Sequence, residues 1–279
     1  MTIGIGLPVA DIPALLDWAR RADAGPFRTL GLLDRLVYDN PEPLVALAAV
    51  AGATRRIRVQ TEVLLAPLRD TVLLAKQAAT LDRVSGGRFT LGLGVGGRPD
   101  DYRAAGQDVR RRGHRLDEQM AELGRLWSGE PHCAHAGPVV PGPGRPEILF
   151  GAFRPPALRR VARFGDGFLG ATPPRYLGRL FRTVEQMWAD AGRAGRPRLV
   201  AQGNVALGPA AVVEQARAEI LRYYGPGEYA AQAAAGLLGT PAAIGGFVAE
   251  CRDLGADEVM LYCWATDPEQ VDRLADLPV

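Results

Sequence analysis

Lysine, histidine and cysteine are scarce in this 279-residue chain. The single lysine, Lys76, lies in a predicted helix and not at a strand end, which disfavours lysine-based aldolase or sugar-phosphate isomerase chemistry. The three cysteines, Cys133, Cys251 and Cys263, are odd in number and widely spaced. They form no disulfide framework of the kind found in secreted proteins, so a reducing compartment is expected.

The chain also lacks an excess of charge of either sign and any long apolar run. Its 33 basic and 31 acidic residues leave a formal charge of +2, so neither nucleic acid nor an anionic membrane is an expected partner. No stretch approaches the roughly 18 apolar residues of a membrane span, and no basic segment precedes the short apolar run at the N-terminus. A small-molecule substrate and a cytoplasmic location are therefore expected.

Motifs for serine nucleophiles, nucleotide hydrolysis and zinc proteases are missing as well. The sequence contains no G-x-S-x-G, no P-loop and no H-E-x-x-H. His132, Cys133 and His135 stand at a spacing that matches no structural zinc pattern, so no metal site is expected. A chain this poor in reactive side chains favours a cofactor that brings its own reactivity.

Apolar runs of strand length alternate with stretches at helical spacing along most of the chain. Such alternation predicts parallel strands joined by right-handed helical crossovers. We predict an α/β fold, a (β/α)8 TIM-type barrel with insertions that forms a single domain over residues 1–279, with a doubly wound open sheet as the alternative. Asp11 is predicted to cap the first helix. The predicted strands are 3–7, 29–33, 57–63, 89–93, 148–150, 167–169, 199–207 and 258–262.

Three segments interrupt the alternation. Residues 129–146 are rich in Pro and Gly and predict a surface insertion, and residues 225–240 predict a second break. After the fourth strand the next helix begins only near Gly113, which leaves a long polar loop. In a barrel and in an open sheet alike, ligands bind beyond the C-terminal ends of the strands, so the loops there are the candidates for the site.

A G-x-G-x-x-G pattern at Gly92, Gly94 and Gly97 follows the fourth predicted strand. In a dinucleotide-binding fold these glycines would hold a pyrophosphate at a helix N-terminus. Here Pro99 and a polar loop follow, and no acidic residue ends a second strand at the required distance. The pattern therefore disfavours dinucleotide binding.

Further residues match one family pattern over nearly the whole chain. They are Glu42-Pro43-Leu44, Ala66-Pro67-Leu68-Arg69, Leu74 through Asp82, Ser85-Gly86-Gly87-Arg88-Phe89, Leu91 through Gly96, Tyr102, Gly106, Arg112-Gly113, Asp117-Glu118, Leu126-Trp127, Ile148 through Gly151, Arg163 through Gly167, and Gly239-Thr240-Pro241. Together they resemble the bacterial luciferase-like superfamily of flavin and deazaflavin oxidoreductases. The block from Leu74 to Gly96 is the most specific part.

The resemblance implies a TIM-like barrel that binds FMN or coenzyme F420 at its mouth and oxygenates or reduces a small organic substrate, as a monooxygenase or a reductase. It allows a separate flavin or deazaflavin reductase as a partner. It also implies a homodimer that pairs through helices flanking strands two to four, where the helix over residues 41–52 is rich in alanine.

Cofactor-binding residues follow from the resemblance at matching positions. Tyr102 falls where members place a tyrosine near the flavin phosphate, and Gly151, Ala152 and Phe153 match a later phosphate-binding turn. Thr61 matches a position that lines the isoalloxazine face, often beside a non-prolyl cis peptide bond. Gly94 and Gly96 complete the predicted set.

One departure concerns the end of the second strand. Many members carry Ser-Asp-His there, with a catalytic histidine, whereas this chain has Leu33-Asp34-Arg35. Gly97 and Arg98 also stand where deazaflavin dehydrogenases have a glutamate. Asp34 and Arg35 are the predicted catalytic pair, and Arg35→Ala is expected to lower turnover without changing the melting temperature. The missing histidine also motivates an alternative, a flavin-binding barrel or carrier subunit without turnover.

Overall fold

The computed structural model of the chain describes residues 1–7, 12–135, 137–140 and 144–278. Asp11, the predicted helix cap, lies outside the described residues. The described residues contain nine strands, which are β1 (Thr2–Leu7), β2 (Thr29–Leu32), β3 (Arg58–Thr61), β4 (Leu64–Leu65), β5 (Phe89–Gly94), β6 (Glu147–Gly151), β7 (Gly167–Gly170), β8 (Arg198–Val205) and β9 (Glu258–Cys263).

The strands form one parallel sheet that closes on itself. Their order is β3-β2-β1-β9-β8-β7-β6-β5-β4, and β3 also pairs with β5. Because β3 and β4 both pair with β5 and only Glu62 and Val63 separate them, they are two pieces of one barrel strand. The result is a closed barrel of eight parallel strands. It confirms the predicted (β/α)8 fold and excludes the open sheet.

Helices surround the barrel. In the described residues they are α1 (Ile12–Ala24), α2 (Pro43–Ala53), α3 (Thr71–Val84), α4 (Pro99–Ala104), α5 (Arg112–Trp127), α6 (Pro155–Phe164), α7 (Pro174–Asp190), α8 (Ala210–Tyr224), α9 (Glu228–Ala235), α10 (Pro241–Asp253) and α11 (Glu269–Ala275), with 3-10 turns at Ala66–Leu68 and Val109–Arg111. Among these residues, none of the helices combines the length and apolar character that crossing a membrane requires.

Local sequence explains where α3 begins and which side it buries. The Asp70 carboxylate accepts a hydrogen bond of 2.8 Å from the Leu73 N–H and so caps the first turn. Leu74, Ala75 and Ala78 then repeat at helical spacing and are buried against the barrel. The other helices also bury apolar residues toward the strands, so the main core lies between the helices and the strands.

A second, smaller apolar layer fills the inside of the barrel. Leu149, Leu169, Val200 and Met260 come from four consecutive strands and pack together separately from the main core. Inward-facing residues of neighbouring strands form such layers in small barrels. The lumen is therefore filled at this level, and a ligand has room only above it, toward the strand C-termini.

Two segments are helical where the sequence predicted a loop or a break. Residues after Gly97 form α4, whose first turn carries Asp100 and Asp101, and negative charge stabilises a helix N-terminus. The predicted break at 225–240 contains α9, whose alanine-rich sequence has high helix propensity. The described part of residues 129–146 shows an isolated antiparallel bridge between Pro131 and Pro138, as expected for an insertion.

Candidate active site

A cavity of about 640 Å³ opens at the C-terminal ends of β7 and β8. Gln202 and Asn204 of β8 line its inner side, and Phe153, which follows β6, lies at its edge. Tyr224 at the end of α8 and Tyr229 of α9 line the opposite wall, where their rings meet edge to face at 5.0 Å. We call this space the mouth cavity. Aromatic and amide side chains give it the chemistry to hold a flat ring with polar edges.

A second cavity, of about 600 Å³, lies at the opposite end of the barrel. Four arginines and three carboxylates line it, and they pair with each other, as in the 3.1 Å contact between Arg58 and Glu147 and the 2.7 Å contact between Arg145 and Asp166. The N-terminal end of a TIM barrel serves stability, while catalysis takes place at the C-terminal end. The mouth cavity is therefore the candidate active site, although the two cavities have similar volumes.

The predicted catalytic pair follows β2, and both side chains are buried in hydrogen bonds. Asp34 accepts from the Leu65 N–H at 2.8 Å and from the Arg69 guanidinium at 2.9 Å. Burial raises the pKa of Asp34, while Arg69 and the Leu65 N–H act in the opposite direction. Arg35 points another way and donates to Asp101 at 2.6 Å.

Arg35 connects three elements of the mouth. Besides Asp101 of α4, its guanidinium donates to the Tyr223 carbonyl of α8 at 2.7 Å and to Asp100 at 3.2 Å. It also lies 5.4 Å from the centre of the Tyr223 ring. These contacts connect the segment after β2 to α4 and α8. Arg35 is therefore the centre of a network of hydrogen bonds and ion pairs beside the mouth cavity.

The end of β3 carries Thr61 and a buried acid. The Thr61 hydroxyl donates to the Gly92 carbonyl at 2.7 Å, across the seam where β3 meets β5. A cis peptide bond joins Glu62 to Val63, next to Thr61, as the family resemblance implied. Glu62 is 7% exposed and accepts a 2.8 Å hydrogen bond from Gln60. The Thr61 hydroxyl thus links β3 to β5, and Glu62 is the next residue after β3.

Tyr102 holds the turn that follows β5. The residue lies in α4, is 1% exposed, and donates its hydroxyl proton to the Val95 carbonyl. Val95 stands between Gly94 and Gly96, and Gly96 adopts a left-handed φ of 62° that favours glycine. The structure therefore connects Tyr102 to the Gly94–Gly96 turn and makes its hydroxyl a support for that turn.

The turn after β6 lies beside the turn after β5, because these strands pair up to Leu93 and Phe150. A methyl group at Gly151 would lie 3.1 Å from Val63, so glycine gives that side chain room. Ala152 is buried and Phe153 is 52% exposed at the cavity edge. The predicted cofactor residues therefore lie at or just beyond the ends of three neighbouring strands of the barrel. Phe153 is the member of this set that lines the mouth cavity; the others are not part of its described lining.

Sequence reasoning missed several residues of the mouth. Gln202 and Asn204 stand at alternate positions of a strand whose other residues after Arg198 are apolar, which is the pattern of side chains that face a polar lumen. Glu62 directly follows a buried strand, which was a detectable signal. Tyr224 lies at the end of a predicted helix and Tyr229 in the predicted break at 225–240, so neither was identified as a site residue.

Metal ligation finds no support in the described part of the chain, where no group of three or more His, Cys, Asp or Glu side chains is placed to hold an ion. His132 is exposed and contacts Glu122 at 3.1 Å.

The chain matches one known protein family over most of its length. The model of the luciferase-like monooxygenase family matches residues 3–258. This chain belongs to the luciferase-like monooxygenase family. The resemblance seen in the sequence is thereby confirmed, and it extends from β1 into β9.

Known relatives of this luciferase-like chain match parts of it. An uncharacterized protein of Mycobacterium tuberculosis is 31% identical over 170 residues, which are 57% of this chain and 60% of the relative. The oxygenase component of a flavin-dependent trigonelline monooxygenase of Acinetobacter baylyi is 32% identical over 92 residues, 32% of this chain and 26% of that relative. The match spans less than two thirds of the length of either relative.

A solved structure shows the same fold over its whole length. An F420-dependent secondary alcohol dehydrogenase, in complex with an F420-acetone adduct, has a TM-score of 0.82 to this luciferase-like chain at 16% identity. The alignment covers 99% of this chain and 97% of that chain. At this identity the likeness shows the fold alone.

Proposed function

We propose that this family member is an oxidoreductase that uses reduced flavin or deazaflavin to oxygenate or reduce a small organic substrate in the mouth cavity, with monooxygenation as the favoured reaction. The mouth cavity is the observation that carries the proposal. It lies at the strand ends where barrel enzymes work, and its described lining consists mainly of aromatic, amide and small side chains. Walls of this kind bind and orient a ring that supplies the reactivity itself.

The lining fits FMN and coenzyme F420 by its chemistry. The amides of Gln202, Asn204 and Gln232 match the alternating N–H and C=O groups along the edge of either ring. Arg175 at the exposed rim places a positive charge where a phosphate would meet solvent. The volume of about 640 Å³ lies within the roughly 300–1,000 Å³ of small-molecule sites. We propose that the turns at Gly94–Gly96 and 151–153, together with Thr61, form the remaining contacts.

When bound, the cofactor would supply an electron pair, and dioxygen would give one oxygen atom to the substrate while the other would take up two protons and leave as water. The protein residues position and shield the reacting groups. Tyr224, Tyr229 and Phe153 cover the cavity and exclude water, while Gln202 and Asn204 orient polar groups at its floor. Asn204 accepts a 2.9 Å hydrogen bond from the Trp264 indole, which holds the amide in place.

Binding of the cofactor is the direct test. We expect FMN or coenzyme F420, titrated in oxidised and reduced form, to change absorption or fluorescence in a saturable way. Tyr102→Phe should weaken that binding by about 1 kcal/mol, because Val95 loses the hydrogen bond that supports its turn. Arg110→Met, an exchange on the exposed surface, is the control and should leave affinity unchanged.

Absence of binding by both cofactors would reject the proposal. Binding without oxygen uptake or substrate reduction would instead favour the alternative of a carrier subunit. Because one relative is named as an oxygenase component, we further propose that a separate reductase supplies the reduced cofactor.

We also propose a homodimer, and α2 supports it. The helix carries no charged residue, and its outward face exposes Val45 to 68% with Ala48 and Ala49 beside it. A helix that is apolar on both sides is expected to be covered on both sides. We expect a dimeric mass by light scattering at micromolar concentration, and a monomeric mass for Val45→Glu because a charge would be buried at the interface. Ala189→Glu, at an exposed position on α7, serves as the control, and a monomeric mass for the wild type would contradict the prediction.

A further inference from the structure

The Trp264 indole fixes how the Asn204 amide is turned. Its Nε1–H donates to the Asn204 Oδ1 atom at 2.9 Å. An indole N–H can only donate a hydrogen bond, so this contact requires the amide oxygen and turns the NH2 group away from Trp264. The Tyr223 and Tyr262 rings lie 5.3 and 5.8 Å from the indole, and Trp264 is 1% exposed, so it has little room to move. Asn204 therefore has one amide orientation.

The NH2 group of Asn204 is left for a ligand. Asn204 lines the mouth cavity, and its backbone carbonyl is held by the Leu238 N–H at 2.9 Å. The Nδ2 atom donates to none of the described residues, and it is not one of the buried polar atoms without a partner. It is therefore open to the cavity. A ligand group that meets this atom forms a hydrogen bond only if it has an acceptor, such as an oxygen.

Three aromatic side chains at the edge of the mouth cavity are exposed. Phe153, Tyr176 and Tyr229 line the cavity and are 52%, 47% and 52% exposed. Single exposed apolar side chains are common, whereas several that share one cavity mark a binding surface. Aromatic rings interact favourably with other aromatic rings, which they meet stacked or edge to face. The edge of the cavity is therefore suited to a flat aromatic ligand.

The charge of the lining limits the ligand further. Arg175 is the one charged side chain in the described lining, and its guanidinium lies 4.7 Å from the centre of the Tyr176 ring. No carboxylate of the described lining is available to pair with a cation. A positively charged ligand would lose hydration on entry and would meet a like charge, so the cavity disfavours it.

We propose that the substrate of the mouth cavity is an aromatic compound without positive charge that carries a carbonyl or similar acceptor oxygen. This oxygen accepts from the Asn204 NH2 group, and the ring packs against the exposed aromatic side chains at the cavity edge. Trp264 is a positioning residue, because it acts on the substrate through Asn204. The inference rests on the function proposed above. Since the NH2 group has two N–H bonds, it can serve an oxygen of the cofactor ring as well.

A pair of ligands of nearly equal shape tests the hydrogen bond. Acetophenone carries a carbonyl oxygen where isopropenylbenzene carries a CH2 group. Both are titrated by calorimetry into protein saturated with oxidised FMN or coenzyme F420. The ratio of the two affinities should fall by roughly tenfold in Asn204→Asp, which keeps the oxygen that Trp264 holds and replaces the donor by an acceptor. Val84→Ala, an exposed exchange on α3, is the control and should keep the wild-type ratio.

Trp264→Phe tests the positioning role. Phenylalanine retains an aromatic ring but cannot donate to Asn204, so the amide is free to turn its oxygen toward the ligand. We expect the affinity for acetophenone to fall by roughly three- to tenfold, and the affinity for isopropenylbenzene to stay the same. A purely structural role of Trp264 would weaken the binding of both ligands alike.

Two further ligand pairs test the ring and the charge. Acetylcyclohexane has the oxygen of acetophenone on a ring that is not aromatic. The preference for acetophenone over acetylcyclohexane should fall by roughly three- to tenfold in Tyr176→Leu and in Tyr229→Leu, because leucine keeps an apolar surface but offers no aromatic ring. Benzyl alcohol should bind at least roughly tenfold more tightly than benzylammonium.

The outcomes separate this inference from the function it rests on. If a cofactor binds and the ratio for acetophenone and isopropenylbenzene is the same in wild type, Asn204→Asp and Trp264→Phe, the inference is rejected and the proposed function stands. The same holds if both tyrosine variants keep the wild-type preference, or if benzylammonium binds as tightly as benzyl alcohol. If neither cofactor binds, the inference and the proposed function are both rejected.

The cofactor ring is the other source of an acceptor oxygen, and cofactor-free protein distinguishes the two sources. A ratio that depends on Asn204 only in the absence of cofactor would show that the ring occupies the NH2 group alone, and the substrate assignment would be rejected. Should Asn204→Asp not fold, Trp264→Phe decides the matter. Equal losses of affinity for both ligands, or no loss for either, would then overturn the proposal.

Discussion

Replacing Arg35 with methionine is expected to destabilise the protein by about 3 to 5 kcal/mol, the usual cost of removing one partner of a buried ion pair. The side chains of Arg35 and Asp101 are 5% and 0% exposed. Without the guanidinium, the donors left to Asp101 among the described residues are the Leu36 and Val37 N–H groups, at 3.1 and 2.7 Å. The Tyr223 carbonyl would also lose its 2.7 Å hydrogen bond. Methionine retains most of the packing volume, so the effect reports the charge.

Equilibrium unfolding in denaturant measures this change, and the melting temperature should fall by about 10 °C. The matched control is Arg110→Met, which breaks an exposed pair with Asp108 and should change stability by less than about 1 kcal/mol. Equal small effects at both positions would show that the contacts of Arg35 with α4 and α8 contribute little to the free energy of unfolding. The result expected here differs from the unchanged melting temperature that the sequence alone suggested, because burial of the pair is visible only in the structure.

Gly92→Ala is expected to cost about 3 kcal/mol or more, through overpacking at the seam that closes the barrel. A methyl group at Gly92 would overlap the Thr61 carbonyl oxygen, which is a backbone atom and has little freedom to move. The Thr61 hydroxyl also donates to the Gly92 carbonyl at 2.7 Å, so β3 and β5 are held close at this point. Both strands would have to separate to admit the methyl group.

Two further glycine substitutions make the comparison quantitative. A methyl group at Gly94 meets the side chain of Val63, which can rotate, so Gly94→Ala should cost less than Gly92→Ala. Gly124 lies exposed in α5 with nothing within 4 Å of an added Cβ, and Gly124→Ala should stabilise by about 0.5 to 1 kcal/mol. Chemical denaturation of the three variants gives the order. Similar effects of Gly92→Ala and Gly124→Ala would contradict the close approach of the backbones.

The Gly92 result also bears on the G-x-G-x-x-G pattern. The sequence disfavoured a dinucleotide site because it predicted a polar loop instead of a helix after the glycines and because the acidic residue was missing. The first of these reasons was wrong, since α4 begins at Pro99. The structure gives Gly92 a different role, which is to admit the Thr61 carbonyl at the closing seam. A motif of small residues after a strand therefore has two explanations that sequence spacing cannot separate, since both need a backbone without a Cβ.

Most of the fold was predictable from local patterns. The alternation of apolar runs with helical stretches located the strands to within a few residues, because each strand of a parallel barrel is a short, continuous apolar run. The interruption of the third strand at Glu62 and Val63 was not visible, and neither were α4 and α9. Short helices have weak periodic signals, and contacts with the barrel stabilise them.

The candidate site was predictable only in part. The family pattern pointed to the ends of β3, β5 and β6, and the structure brings Thr61, the Gly94–Gly96 turn and residues 151–153 to neighbouring strand ends. Their contact with a cofactor stays a prediction. The mouth cavity with Gln202, Asn204 and Tyr229 was missed, because its walls come from segments that are distant in the chain.

The sequence by itself determined the barrel, the positions of its strands and the family, since these depend on local periodicity and on motifs that are contiguous in the chain. Only the tertiary structure decided which polar groups have partners. Arg35 meets Asp101 across 66 positions of sequence, and Glu62 lies between Gly6 and Gly31 without a partner for Oε2. Burial and pairing of charges arise when the barrel closes and brings distant strand ends together, so the surroundings of these charged groups could be seen only in the closed barrel.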